Sequence, residues 1–517
     1  MNKYGIITYG DGKFIQCFSR RLMSIILLTV FMASCFLHAG YGQTPEQKQY
    51  NILFLISDDM NDWIGCLDGH PDAITPNLDR LADRAVLFEQ AHCSAPICNP
   101  SRASVMSGLN PSTTGCYGNR QALRMSPVGF EAVTLPRYFS QHGYFSTGVG
   151  KITHGKFPDP ASWDEFYPNL RSQGMDGAKP LIKNMNGVNN ESMDWGPLDV
   201  EDHEMKDGKI TQHLIDMLGK DYDKPFFLAG GWKLPHLTWH APRKYFDMYN
   251  PETITLPLII EDDLDDLPPK ALNYTNNSYY KAVTAAGKER EGVQAYLACI
   301  SFIDAQVGRV LDALESSQYA ENTILVFWGD HGWHLGEKRH WSKSTLWEES
   351  TRAPLMIVAP GYKPARCKIP VSFLDIYPTL VELAGLEPKA ELEGTSLVPL
   401  MRDTDASWDR PALTTHGKGN HSLRTKRWRY TIYSDGGEEL YDHSMDEMEW
   451  TNLADDPAYA SVKEEMKKWL PKTDAEDVYV LEWPQEERIF WEATLKAAER
   501  YHGKSVYPED WIKTETE

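Results

Sequence analysis

Positive charge is in short supply along this 517-residue chain: 52 lysines and arginines stand against 73 aspartates and glutamates, a formal net charge of −21. Reading nucleic acid needs a clustered basic face, so that class is excluded. The same shortage argues against broad, unspecific binding of polyanions. Cysteine is also scarce, with 8 in all. Cys17 and Cys35 fall near the N-terminus, and Cys66, Cys93, Cys98, Cys116, Cys299 and Cys367 are too thinly spread for a disulfide framework. No apolar run reaches the ~20 residues that cross a bilayer as a helix. Internal repeats and low-complexity tracts are lacking too, which excludes repeat architectures. What remains, 42% hydrophobic and 24% charged residues, is the texture of an ordinary globular chain. At about 150 residues per domain, its length suits roughly three folding units, or one large domain with an appendage.

Arg20 and Arg21 precede the apolar run Ile25–Leu37, and the small, polar stretch His38–Gln43 follows. Basic flank, short apolar segment and small residues are the order of a secretory signal, which predicts export. Met23 is an alternative start. Met32-Ala33-Ser34-Cys35 weakly resembles a lipoprotein cleavage box, so a lipid anchor at Cys35 is the alternative to simple cleavage.

Beyond the signal region (1–42), the continuous apolar run Asn51–Ile56 reads as a strand buried on both faces, and similar runs recur at Tyr144–Val149, Pro225–Ala229, Thr323–Trp328 and Pro354–Ala359. Between them, Val293–Leu314 and Phe373–Leu386 carry apolar residues at helical spacing. Alternating buried strands and amphipathic helices predict an α/β fold with a large, mostly parallel sheet between helices over 43–405. Past about residue 405 the texture changes. Ser422–Tyr433 and Glu438–Tyr441 flank the turn signal Ser434-Asp435-Gly436-Gly437, which predicts a smaller antiparallel sheet within 406–517. Pro268–Glu291 reads as an excursion from the large sheet. The aromatics Trp483, Trp491, Tyr501, Tyr507 and Trp511 read as packing an acidic terminal segment onto the body.

In open α/β sheets, ligands bind beyond the carboxyl ends of strands. The first strand runs into Asp58-Asp59, and Thr323–Trp328 runs into Gly329-Asp330-His331-Gly332. Adjacent carboxylates repel unless a cation lies between them, and an oxygen-rich set suits Ca²⁺ or Mg²⁺. Capping of the following turns is the plainer alternative for one such pair; two pairs at separate strand ends favour metal. In Cys98-Asn99-Pro100-Ser101-Arg102, Pro100 suits a first helical turn and puts Cys98 at a helix N-terminus, with Arg102 one turn along. A thiol there reads as a nucleophile of lowered pKa.

The run Cys98-x-Pro100-Ser101-Arg102-x-x-x-Met106-x-Gly108 resembles the signature of the formylglycine-dependent sulfatases, in the alkaline-phosphatase-like superfamily. The resemblance extends through Gly150-Lys151, Lys233-Leu234-Pro235-His236, Asp330-His331-Gly332 and Trp341-Ser342-Lys343. It is strongest to the iduronate-2-sulfatase-like branch, where a histidine closes the metal set as His331 does here. The resemblance implies that a maturation enzyme converts Cys98 to formylglycine, whose hydrate attacks sulfur and then expels sulfate. It further implies that Asp58, Asp59, Asp330 and His331, with residue 98, hold Ca²⁺ or Mg²⁺. Arg102 would hold the diol and sulfate oxygens, Lys151 would lie near the aldehyde, and His154 would serve as base. His236 and Lys343 would contact the ester oxygen and protonate the leaving alcohol.

The implied function is hydrolysis of sulfate esters on sulfated carbohydrates, with Arg120, Arg124 and Arg424 as candidates for a substrate carboxylate. Trp239 and Trp333 are candidates for stacking on a sugar, with core packing the plainer fate. A choline or aryl sulfatase, a phosphatase or phosphodiesterase of the same superfamily, and a non-catalytic glycan binder are the alternatives. The acidic body tips the choice toward chain ends or oligosaccharides, because screening over about 8 Å still permits one local positive pocket.

Overall fold

The structure, a computed structural model, describes residues 49–155, 157–167, 184–190, 192–482 and 486–502. The predicted signal region with Cys17 and Cys35 lies outside them, as do Trp483, Tyr507 and Trp511. Asn51–Asp58 (β1) is buried at every position. Its side chains alternate between two cores: Leu53 and Leu55 enter one, and Ile52, Phe54 and Ile56 the other. That is why the sequence shows an unbroken apolar run where a half-exposed strand would alternate.

Seven further strands complete the sheet: Val86–Phe88 (β2), Phe145–Gly150 (β3), Glu165–Tyr167 (β4), Phe226–Pro235 (β5), Thr323–Gly329 (β6), Leu355–Val358 (β7) and Ala365–Cys367 (β8). Their order is β8-β2-β7-β6-β1-β5-β3-β4. The block from β6 to β4 is parallel throughout, whereas β7 runs antiparallel to both β6 and β2. The principal helices are Cys98–Ser107 (α1), Lys206–Leu218 (α2), Glu289–Ser316 (α3), Ile376–Leu383 (α4) and Glu487–His502 (α5). Helices α2 and α3 bury their apolar stripes in the first core, α1 and α4 in the second. The sheet is thereby covered on both faces, as expected of parallel strands.

The C-terminal sheet consists of Ala412–Thr415 (β9), His421–Arg424 (β10), Trp428–Ile432 (β11) and Glu438–Asp442 (β12), paired antiparallel in that order. The β11–β12 turn holds Gly436 at φ 89°, a left-handed value that glycine adopts without cost. The polar excursion forms two short helices, Pro269–Thr275 and Ser278–Ala286. On α5, Phe490 packs against Phe157 with ring centroids 5.3 Å apart.

The small sheet is tied to the large one by buried polar contacts. On β9, Thr414 Oγ1 donates to Cys93 O (2.6 Å) and Thr415 N to Ser94 O (2.9 Å). On β11, Arg429 is 1% exposed; it pairs with Glu348 and Glu449 and donates to Leu346 O (3.1 Å). Removing one side of such a pair strands a buried charge, at a cost of about 3–5 kcal/mol. Arg429→Ala is therefore expected to lower unfolding stability by that amount in a urea titration. A change below ~1 kcal/mol would contradict the assignment.

Candidate active site

Parallel pairing puts Ser57 of β1 opposite Gly329 of β6, so the two strands end side by side. Asp58-Asp59 and Asp330-His331 therefore emerge together, all four fully buried. Asp59 takes a left-handed φ of 61°. Its N–H donates to Asp330 Oδ1 (2.9 Å), and its carbonyl accepts from Tyr296 of α3 (2.7 Å). A non-glycine residue held at positive φ by such bonds marks a site where function overrides backbone preference.

Cys98 opens α1, and Pro100 occupies its first turn as the sequence predicts. The thiol lies 3.1 Å from Lys343 Nζ, 3.4 Å from His331 Nε2 and 3.8 Å from Asp59 Oδ1. Burial pushes it up to about 12, and Asp58 adds to this against the opposing charges of Lys151 and Lys343. The expectation of a thiol with lowered pKa is thus not met. A helix N-terminus does not outweigh full burial beside carboxylates, so the encoded cysteine stays protonated at neutral pH.

Arg102, one helical turn on, is also fully buried. It makes hydrogen bonds to Asp330 Oδ2 (2.7 Å), Asp58 Oδ1 (3.2 Å), Ile152 O (3.2 Å) and Lys151 O. Its guanidinium braces the carboxylates. Lys151 Nζ pairs with Asp58. Lys151 reaches this place because β3 ends on Gly150 beside Gly231 within β5: a Cβ on Gly231 would stand 2.1 Å from Lys151 O, and one on Gly150 2.2 Å from Gly231 O. Burial raises Asp58, but Lys151, His236, Arg102 and Lys343 outweigh it and hold its carboxyl well below the usual range. Asp59 ends up raised, with burial first among the causes and the Asp58 and Asp330 charges adding to it against Lys343.

Lys343 pairs with Asp59 and lies 5.3 Å from the Trp333 ring centre. Its loop carries Lys338, Arg339, Ser342 and Ser344 at φ of 52°, 51°, 153° and 74°. Four left-handed non-glycine residues in seven positions are strained backbone held by its surroundings. The holders include Ser344 N donating to Pro96 O (3.0 Å) and a contact of His340 Nε2 with Lys343 O (3.0 Å). His236 donates from Nδ1 to Leu237 O (2.6 Å), which leaves Nε2 facing Asp59 Oδ2 at 4.0 Å. Burial, with Lys343 and Lys151, lowers His236 far below the usual imidazole range; burial, with Lys151, does the same for His154.

The donor set fits a hard divalent cation. Ligand atoms of Asp58, Cys98, Asp330 and His331 lie within 4.8 Å of one another, as do those of Asp58, Asp59, Cys98 and His236. Asp59 Oδ2 is buried without a hydrogen-bond partner, which costs free energy unless something charged meets it. His331 Nδ1 donates to Gly332 O (2.9 Å), so its Nε2 lone pair is presented to the carboxylates, the arrangement that metal-ligating histidines use.

A cavity of about 410 Å³ opens beside these groups, lined by Lys151, His154 and His236 and, farther out, by Phe166, Lys206 and Lys233. The predicted substrate arginines lie elsewhere. Arg120 is exposed and donates to Leu481 O (3.1 Å). Arg124 is locked to Asp159 and to the Gly129 and Ala132 carbonyls. Arg424 is buried against Glu348. Trp239 and Trp333 are core residues, 0% and 2% exposed. Sequence reasoning passed over Tyr296, Asp207 and the place of Lys233 on the cavity wall. Asp207 accepts from the backbone N–H of Lys233 and of Leu234 (both 2.9 Å) and so fixes the end of β5 ahead of His236. An acid in the first turn of a helix carries no sequence signal for that task.

A family profile described as sulfatase matches residues 50–386, and one described as N-sulphoglucosamine sulphohydrolase, C-terminal, matches 336–476. A sulfatase of Formosa agariphila is 39% identical over 473 residues, covering 87% of this chain and 92% of its own. Human iduronate 2-sulfatase is 31% identical, covering 74% of this chain and 84% of its own. Among solved structures, a phosphonate monoester hydrolase of Agrobacterium radiobacter superposes with a TM-score of 0.69 at 22% identity, over 81% of this chain and 94% of its own. That last likeness is one of fold alone.

Proposed function

The chain belongs to the sulfatase family and is a sulfuric ester hydrolase, and from this premise we propose that it removes sulfate from sulfated carbohydrates through a formylglycine made from Cys98. The observation that carries this reading is the convergence on Cys98 Sγ of Lys343 at 3.1 Å, His331 at 3.4 Å and Asp59 at 3.8 Å, around a thiol too basic to attack by itself. The name of the human relative, a sugar-acid sulfatase, and the predicted export support a carbohydrate substrate.

Asp58, Asp59, Asp330 and His331 would hold a divalent cation, Ca²⁺ or Mg²⁺, which supplies Lewis acidity toward sulfate oxygens. Formylglycine, installed by a maturation enzyme, supplies a hydrated aldehyde in place of the thiol. The remaining chemistry falls to side chains. Arg102 fixes Asp58 and Asp330 in place. Lys151 and Lys343 put positive charge on either side of residue 98, where negative charge develops in the transition state. His154, with Nδ1 buried and unpartnered, is the candidate base for sulfate release. His236 holds its own proton on Nδ1, so its bare Nε2 faces the site and takes up a second proton when the anionic ester binds. With Lys343 it forms the acid pair for the leaving alcohol.

A sugar alkoxide needs that proton far more than a nitrophenolate does. His236→Ala is accordingly expected to lower kcat/KM on a sugar sulfate by about 10²–10⁴-fold, and by a much smaller factor on 4-nitrophenyl sulfate. Equal losses on the two would remove His236 from the acid role. The experiment that tests the function itself is a screen of defined sulfated oligosaccharides, from glycosaminoglycan, carrageenan, ulvan and fucan, for released sulfate. Turnover of aryl or choline sulfate without any sugar sulfate would sink the carbohydrate reading.

A further inference from the structure

A sulfate monoester carries one negative charge, and the cations beside Cys98 already have partners: Lys151 pairs with Asp58 and Lys343 with Asp59. Two more lysines, Lys206 and Lys233, line the same cavity. On a chain of net charge −21, no carboxylate is among its described lining residues. That is a strong local departure from the average surface.

Lys233 is the more telling of the two. Strand β5 is buried at every one of its 10 positions except this lysine. Three residues before His236, it lines the cavity. Its backbone is pinned, because Asp207 of α2 accepts the Lys233 N–H at 2.9 Å. The ammonium itself has no ion-pair partner among the described residues. Lys206 opens α2, so one helix start both supplies the second lysine and fixes the first. Phe166, half-buried and stacked on Trp163 at 5.6 Å, adds an apolar face to the same wall.

We propose that Lys233, aided by Lys206, recognises a second anionic group on the sugar that bears the scissile sulfate, or on its immediate neighbour. That group is a carboxylate or another sulfate, since either presents oxygens to an ammonium in the same way. The inference rests on the sulfatase reading of the site and narrows its substrate from any sulfated sugar to one with at least two negative charges. Lys233 acts here in specificity; it takes no part in bond breaking.

The test uses the full-length, matured enzyme and matched sugar sulfates that share the scissile ester and differ at one other position, which carries hydroxyl, carboxylate or sulfate. Turnover of 4-nitrophenyl sulfate is measured alongside. Wild type is expected to favour a dianionic member over its monoanionic match by about tenfold or more in kcat/KM at low salt, mostly through KM, with the preference shrinking as salt rises. The arm that shows it, carboxylate or sulfate, identifies the group. Lys233→Gln should cut the ratio at least fivefold, Lys206→Gln less, and Lys233→Arg should retain most of it. A wild-type ratio near one, or equal losses by Lys233→Gln on both members of a pair, overturns the proposal and leaves the sulfatase reading intact. Where no sugar is turned over, the same ratios are read as inhibition constants against 4-nitrophenyl sulfate. Loss of turnover on every sulfate ester overturns both readings.

Discussion

Cys98→Ala is expected to lower kcat by about 10⁴-fold or more on every sulfate ester tested, with the fold intact. The size follows from what surrounds Sγ. Lys343, His331 and Asp59 all approach this one atom, and Asp58 and Arg102 are arranged behind them. Remove the reacting group and the rest is a charged cradle with nothing to present. Stability should change little, because alanine keeps the start of α1 and adds no unpaired charge to the core. The companion measurement is mass spectrometry of protein made with the maturation machinery. The peptide carrying residue 98 should be about 18 Da lighter than its unmodified form. Fully active protein that retains an unmodified thiol would falsify the mechanism, since burial holds that thiol near 12.

Second in size is the effect of the carboxylate cage. Asp59→Asn is expected to lower kcat/KM by about 10³-fold, comparable to losing a main electrostatic stabiliser of the transition state. Activity alone would not separate a lost cation from a damaged fold, so the decisive reading is thermal. In chelated wild-type protein, added Ca²⁺ or Mg²⁺ at a hundred times its dissociation constant should stabilise by about 2.7 kcal/mol and raise Tm. Asp59→Asn should lose most of that response, because Asp59 Oδ2 is the buried oxygen with no hydrogen-bond partner. A wild-type Tm indifferent to both ions would argue against a divalent site. An unchanged response in the variant would move the site away from Asp59.

The strands of the large sheet were legible because a parallel strand covered on both faces writes itself as an unbroken apolar run, as Asn51–Asp58 does. The same property hid the direction of Leu355–Val358, which reads alike either way and proves antiparallel. Charged pairs at strand ends were legible for a related reason: nothing in strand packing calls for Asp58-Asp59 or Asp330-His331. What the linear order could not carry is pairing across the fold. Arg424 looked like a free cation, yet Glu348, 76 residues away in sequence, neutralises it in the interior. Lys233 entered the sequence reading only as part of the run before His236, and its place on the cavity wall shows in the fold alone. Arg102 makes four hydrogen bonds to Asp58, Asp330 and two carbonyls, partners that its place in the linear order does not disclose.

The ties between the small sheet and the large one bear on how such enzymes can be recombined. Through Thr414 and Thr415 the small sheet grips Cys93 and Ser94, just ahead of the cysteine, and through Arg429 it grips Leu346, just after Lys343. Two segments that must meet within 3.1 Å at Cys98 are thus suspended from one common frame. A chimera that crosses over near residue 405 would graft a foreign frame onto both. The natural unit of exchange between relatives is therefore the small sheet together with residues 93–98 and 343–348, inherited as a block.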